Sequence, residues 1–458
     1  MKSKNVQNTE SRLARTLALL VLCIFALLPF HTFFTTWLGA NFGYIDGFRI
    51  WKEILIVGLL LGCILLIARD QKLQQRAKRS LLLQIVLLYG LFTLLRAGYG
   101  YASGSVNLEA TIYGVGINLR YPLFMVITWI VAQKSSLLEH YWLPVLVGPA
   151  TIVILYGLLQ QFVLDKNFLT HFGYGTSTVV PYQAVDLKPD YIRAQSTLRG
   201  PNPLGAYLVS IITICIAAAY TDKLRRIMYV VVSIAAGTLL VFTYSRSAWI
   251  GLVASLLVLS VLLIHNPKTR RKLLLGVAVG IVLLGAGVLL GRNNDTVQNA
   301  IFHTDETSQS GQSSNAARTD ALANNLKDAW QHPLGMGPGS AGPASFRNDS
   351  GAKIAENYFI QIAQEVGFIG LGLYLLLSLV VLRELWIRRG HSMPAVLLAL
   401  FAGITVINMV SHAWADDTLS LIWWGLAGIA ISVPVQKSAI LNANTHEKPK
   451  VKKAQSRD

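Results

Sequence analysis

Arg193, Arg199, Arg246 and Glu356 are the residues whose types and settings suit chemistry on an anion. Arginine presents a planar fork of donors that grips a phosphate better than lysine does. A carboxylate can take a proton from a hydroxyl nucleophile. Arg193 and Arg199 lie in Tyr191-Ile-Arg-Ala-Gln-Ser-Thr-Leu-Arg-Gly-Pro-Asn-Pro-Leu-Gly205, whose Gly-Pro-Asn-Pro run forces a turn just before a helix begins. Both cations are thereby held close to a helix N-terminus, where free N–H groups and the dipole favour anions. Solvated loop charge is the plainer reading of either one alone. Arg246 stands in Thr243-Tyr-Ser-Arg-Ser-Ala-Trp-Ile-Gly251, at a tight turn between two apolar runs. It can snorkel to lipid phosphates beside Tyr244 and Trp249, or point inward and hold a phosphate.

Glu356 opens the run Glu356-Asn-Tyr-Phe-Ile-Gln-Ile-Ala-Gln-Glu-Val-Gly-Phe-Ile-Gly370. It reads either as a first-turn acid favoured by the helix dipole or as a general base at the mouth of a cavity. Asn357, Gln361, Gln364 and Glu365 recur at helical spacing, so one face of an apolar helix carries amides and a carboxylate. Unsatisfied polar groups in hydrocarbon cost several kcal/mol each, so that face must line a cavity or meet another polar element. Upstream, the pattern predicts an amphipathic helix from about Ala316 to Trp330, with Ala317, Ala321, Leu322, Leu326 and Trp330 on one face and Arg318 near its start. That face is expected to pack back on the rest of the chain. The glycines of Gln331-His-Pro-Leu-Gly-Met-Gly-Pro-Gly339 allow a tight backbone path and read as a structural turn. In Ser411-His-Ala-Trp-Ala-Asp-Asp417, His412, Asp416 and Asp417 have a spacing that could bind a divalent cation, yet nothing elsewhere completes a ligand set, so no metal site is assigned. The chain has no Walker, GxSxG, HExxH or Rossmann pattern, which removes support for nucleotide-driven transport and the common hydrolase chemistries.

The elements that must position these residues belong to a membrane. Of the 458 residues 53% are hydrophobic and 14% charged, a balance no ordinary soluble domain has. Apolar runs of membrane-crossing length give about twelve candidate helices, near 17–37, 50–68, 81–95, 119–132, 142–162, 203–220, 227–243, 247–264, 273–290, 357–382, 393–410 and 419–433. Every other connection is basic: Lys and Arg gather before the first run, after the second, sixth, eighth and tenth, and beyond the last, with Lys134 alone after the fourth. By the positive-inside rule both termini are cytoplasmic, and the long loops 163–202 and 291–356 lie outside. Arg193, Arg199 and Arg246 then stand on the face where basic residues are normally depleted. The net charge of +17 sits mostly in short cytoplasmic loops, where insertion and anionic headgroups account for it without nucleic acid. Cys23, Cys63 and Cys215 all fall inside predicted spans and form neither a disulfide framework nor a metal set. Residues 1–436 therefore read as one polytopic domain with its outer loops, and 437–458 as a basic, disordered cytoplasmic tail.

In this order and sidedness, three features resemble the O-antigen ligase and O-antigen polymerase superfamily of bacterial membrane glycosyltransferases. The turn Ser245-Arg-Ser-Ala-Trp249 is similar to that family's Ser-Arg-small-Ala-Trp turn. The segment from Arg193 to Gly205 resembles its arginine-bearing approach to a helix through Pro-Asn, and the long outer loop ends in a similar His-Pro-Leu-Gly-x-Gly-Pro-Gly run before a polar helix. The resemblance covers roughly 190–380. In the family motif a His precedes Asn, Ser or Gln, then nine residues and Gly-x-x-Gly; this chain keeps Asn357, the nine-residue gap, Gly367 and Gly370, but has Glu356 where the ligases have a histidine.

The resemblance implies a GT-C-like, all-α fold in the bacterial cytoplasmic (inner) membrane and transfer of a glycan from a polyprenyl diphosphate carrier to an acceptor hydroxyl at the outer face. It implies inversion in one displacement, without metal or other cofactor. Under it, Arg246 and Arg193 hold the diphosphate, Glu356 is the base, Arg199 and Arg318 assist, and Asn357 and Gln361 shape the substrate site. Ligase and polymerase differ in the acceptor, which can be a lipid-linked sugar, another carrier-linked glycan or a protein hydroxyl. The competing class is a transporter or flippase for lipid-linked or anionic substrates, which would be expected to carry ionisable residues near the bilayer midplane and related halves.

Overall fold

Apolar runs long enough to cross roughly 30 Å of hydrocarbon must close their backbone hydrogen bonds internally, and in one chain the helix does this. The computed structural model describes residues 11–185, 191–264, 267–290 and 314–434. In chain order its α-helices are α1 (Arg12–Leu27), α2 (His31–Phe42), α3 (Ile45–Arg49), α4 (Trp51–Arg69), α5 (Gln71–Arg79), α6 (Leu81–Ala102), α7 (Leu108–Ala132) and α8 (Leu137–Phe162), followed by α9 (Pro201–Thr221), α10 (Arg226–Phe242), α11 (Arg246–Leu263), α12 (Pro267–Leu290), α13 (Ser314–Gln331), α14 (Tyr358–Ile387), α15 (Ser392–Asn408) and α16 (Asp417–Ser432). Among the described residues eight helical stretches are long and apolar enough to cross a membrane, and α10, α15 and α16 are shorter apolar helices. Each predicted run falls on helix. The third and fourth extend further than their apolar cores, to Leu81–Ala102 and Leu108–Ala132, because polar residues such as Arg96 and Asn118 find partners inside the protein.

Two of the helical runs are interrupted. Pro29 sits in a 3-10 turn, Leu28–Phe30, that joins α1 to α2. Gly367 breaks α14 with φ 73° and ψ 178°, a conformation only glycine adopts without strain. The centre of the bundle is formed by α16 against α7 and by α11 against α15. In the latter crossing a side chain on Gly251 would lie 2.9 Å from the Gly403 carbonyl oxygen, the close approach small residues permit between membrane helices.

The connections carry structure of their own. A two-residue antiparallel ladder joins β1 (Gln183–Ala184) to β2 (Ile192–Arg193), with Gln183 opposite Arg193. Its strap is tied to the α10–α11 turn, since Ala194 N donates to Phe242 O at 2.9 Å.

The loop helix α13 forms where predicted but docks by the face adjoining the apolar stripe. Leu322, Leu326 and Trp330 are exposed, whereas Asn325 and Ala329 are buried. Polar bonds decide the orientation: Asn325 Nδ2 donates to Ile354 O, Gln364 Nε2 donates to Asn325 Oδ1 at 3.1 Å and to Asp328 Oδ2 at 2.8 Å, and Lys353 pairs with Asp328 at 2.5 Å. Satisfying buried amides outranks burying the apolar stripe here.

Candidate functional site

The Gly200-Pro201-Asn202-Pro203 run starts α9, and the segment Ser411–Asp416 starts α16; between them lies a cavity of about 230 Å³. Gln183, Arg199, Asn202, Glu356, His412 and Asp416 are on its wall.

Helix ends fix Asp416, Asn202 and, through Asp416, Arg199. Asp416 is the N-cap of α16: its Oδ1 accepts from Thr418 N at 3.1 Å, while its Oδ2 accepts from Arg199 Nε at 3.0 Å. An N-cap carboxylate is among the most rigid anchors a helix offers, so it fixes the guanidinium plane. Only Nε is engaged; the two terminal nitrogens of Arg199, a side chain 38% exposed, have no partner among the described residues. Asn202 Oδ1 accepts from Arg193 at 2.7 Å, and Arg193 Nε donates to Thr243 O at 2.9 Å. Arg193 thus links the cavity wall to the turn that carries Arg246, at the first position of α11.

Glu356 is held by its two successors. Asn357 caps α14, accepting from Phe359 N and Ile360 N, and its Nδ2 donates to Met409 O at 2.9 Å; Tyr358 N donates to Ser411 O at 3.1 Å. Glu356 itself lies at φ 51°, a left-handed conformation that costs a β-carbon residue of order 1 kcal/mol or more. Its carboxylate has no hydrogen-bond or ion-pair partner among the described residues. Of the four non-glycine residues with positive φ among the described residues, Ser196, Tyr244 and Glu356 fall in the three motif segments. Strain concentrated in this way is a mark of sites whose geometry is over-determined.

His412 completes the wall. Burial, and then the nearby Arg199 charge, lower its pKa from 6.5 to about 4, so the ring is neutral at pH 7. Its Nδ1 is buried without a hydrogen-bond partner among the described residues.

The polar face of α14 goes elsewhere. Glu365 is buried, accepting from Asn118 Nδ2 at 2.8 Å through Oε2 and from Gly339 N at 2.9 Å through Oε1. The break at Gly367 leaves carbonyls of the preceding turn without helical partners; Met336 N and Gly337 N donate to Gln364 O and Glu365 O, each at 2.8 Å, and Phe368 N donates to Pro333 O at 2.9 Å. The Gly335-Met-Gly-Pro-Gly339 run is therefore a latch that completes a broken membrane helix, the structural turn its composition suggested. Gln361 is buried against Gly342 and is not on the cavity wall. Asn357 acts as a cap. Arg246 is also not among the lining residues, and the side chain of Arg318 lies outside the described residues.

Sequence reasoning passed over one cluster. Asp417, next to the cap, binds Lys52 Nζ at 2.8 Å and pairs with Arg120, whose Nη2 also donates to Ala415 O at 2.8 Å. Glu53 joins the same pair of cations, and His31 Nδ1 accepts from Trp51 Nε1, which turns Nε2 toward Asp417 and Lys52. The charge rule that singled out Arg193 applies equally to Lys52 and Arg120, which would have revealed them. With Asp416 on Arg199 and Asp417 on these cations, both carboxylates considered as cation ligands are occupied by side chains.

Residues 230–375 match the family model described as O-antigen ligase, a stretch that holds Arg246, Arg318 and Glu356. A curated relative, the O-antigen polymerase of Salmonella muenchen, is 21% identical over 227 residues, which is 48% of this chain and 55% of the relative. The match thus spans about half the length of that relative. Both findings support the O-antigen ligase and polymerase superfamily, on which the motifs had converged.

Proposed function

We propose that this multi-pass membrane protein, similar to the O-antigen ligases and polymerases, transfers a glycan from a polyprenyl diphosphate carrier to an acceptor hydroxyl, with the Arg199–Glu356 cavity as its reaction site. The observation that carries the reading is the pairing on one wall of an arginine with unengaged terminal donors and a strained, unpaired carboxylate. In the reaction, the Glu356 carboxylate takes the acceptor hydroxyl proton as that oxygen bonds to the anomeric carbon. The carbon–oxygen bond to the diphosphate breaks, and the negative charge that leaves with it faces the Arg199 fork. Attack opposite the leaving group inverts the anomeric centre. Arg193 positions this wall through Asn202, and its bond to Thr243 O ties the wall to the turn before Arg246, the first residue of α11.

In this reading about twelve helices cross the cytoplasmic membrane with both termini inside, which puts the cavity at the outer face. Helix-end placement also favours a transferase over a transporter: Lys52 and Asp417 stand in the first turns of α4 and α16, at the bundle end shared with the cavity. The decisive assay is transfer of a labelled glycan from polyprenyl diphosphate by purified protein, comparing wild type with Glu356→Gln and Arg199→Ala. Full activity in both variants would sink the site assignment.

A further inference from the structure

The opposite end of the bundle holds a second cavity, of about 730 Å³, that glycan transfer does not use. Its position follows from helix polarity. Glu356 and Asp416 precede the starts of α14 and α16, whereas Glu384, Arg388 and Val433, at the other ends of those helices, line the second cavity. Sixteen residues of α16 separate the two, roughly 24 Å of helix.

The short helix α5 forms one wall. Asp70 caps it, accepting from Leu73 N at 2.9 Å, and also pairs with Lys134; Leu73, 1% exposed, pins it to the bundle. That anchoring points Lys72, Arg76 and Arg79 to the cavity. Arg388 adds a fourth cation, and Glu384 is the one carboxylate on the wall among the described residues. Arg388 is neutralised by Glu384 at 2.7 Å, and Arg76 donates to Gln133 Oε1 at 3.3 Å. Lys72 and Arg79 have no side-chain partner among the described residues. The deeper wall is apolar, with Leu82, Trp129 and Val380.

Insertion rules explain why a loop here is basic, but not why a capped, anchored helix folds those cations over a cavity with an apolar floor. We propose that this cavity binds an anionic phospholipid, its phosphate between Lys72 and Arg79 and its acyl chains along Leu82, Trp129 and Val380. Cations at the rim and hydrocarbon behind match a lipid headgroup better than a free anion, which would gain nothing from the apolar wall.

Native mass spectrometry of the full chain released from detergent tests this with phosphatidylglycerol, phosphatidylcholine and inorganic phosphate as probes. Phosphatidylglycerol adducts should exceed phosphatidylcholine adducts. Arg79→Glu should lower the phosphatidylglycerol-bound fraction at least fivefold, and Lys78→Glu, the same charge change on the adjacent residue outside the cavity wall, should leave it within twofold. If Arg79→Glu does not yield folded protein, Arg79→Gln against Lys78→Gln makes the same comparison. Equal loss in both variants would reduce the effect to surface charge and overturn the site. Equal retention of phosphatidylcholine would also overturn it, and displacement of the lipid by millimolar phosphate would assign the cavity to a free anion. None of these outcomes depends on glycan transfer.

Discussion

Two polar regions flank the start of α14, and they differ in how their polar atoms are accounted for. From Gln364 to Glu365, the Glu365 carboxylate, Gln364 Nε2 and the carbonyls released at Gly367 are bound by α13, Asn118 and the Gly335–Gly339 latch, while Gln361 Oε1 and Gln364 Oε1 are buried without a partner among the described residues and do not line the cavity. One residue before the helix cap, Glu356 has no partner, Arg199 offers its outer nitrogens, and His412 keeps a buried ring nitrogen unbonded among the described residues. Composition does not distinguish the two regions; accounting for partners does. A buried polar group whose bonds are complete holds the fold, whereas one left open beside a cavity is available to a substrate.

The sharpest way to break this contrast is to neutralise one carboxylate of each region. Glu356→Gln should lower kcat by about 10²- to 10⁴-fold, the range for a lost general base, with little change in melting temperature. Relief of the left-handed strain by Glu356→Gly should raise stability slightly while abolishing activity just as fully. Arg199→Ala should cost about 10²-fold in kcat/KM, as for one lost donor to a developing anion, and should also free Asp416 to draw His412 toward protonation. If Glu356→Gln instead lowers the melting temperature and keeps the activity per folded molecule, the roles of the two regions are reversed.

The latch gives the next largest effect, on stability alone. Gly367→Ala places a β-carbon about 2.6 Å from Pro333 O at a φ of 73°, so both clash and strain oppose it. A loss of roughly 3 kcal/mol or more is expected from the two together. Glu365→Ala should cost about 1 to 3 kcal/mol for each of the two donors it leaves buried, Asn118 Nδ2 and Gly339 N. Thermal unfolding in detergent measures both, and activity per folded molecule should stay near wild type. A selective loss of activity in Glu365→Ala would move this carboxylate into the chemistry.

Much of the fold was legible because a bilayer permits so few backbone solutions: apolar length gave the helices and the Pro-Asn run gave a helix start, whereas the break at Gly367 lies inside a run that reads as one continuous span. The site was legible in part. Glu356 and Arg199 stood out by type and by side of the membrane, but sequence weighted Arg246 above Arg199, because nothing local announces that Asp416, more than two hundred residues away, will cap one helix and orient an arginine beside another. The facing of α13 failed for a related reason. An apolar stripe signals burial, yet the docked face was set by Asn325 and Asp328, whose partner Gln364 is buried on another helix. The cluster of Lys52, Arg120 and Asp417 needed three distant helices to meet, although each cation broke the same charge rule.

The smallest effect separates the regions by pH. His412 has its pKa lowered from 6.5 to about 4 in the folded protein, by burial first and by Arg199 second. Between those values the unfolded chain binds the proton more readily, so stability rises with pH across this window and is fully present above about 6.5. Acidifying from pH 7 toward 4 should therefore lower the melting temperature progressively, and His412→Gln should remove that part of the slope. Arg199→Gln should shrink the slope without removing it, since burial, the larger cause, remains. A slope unchanged in His412→Gln would mean that the ring is not held neutral against the cavity, and that its open nitrogen is not available there as a neutral acceptor beside Glu356.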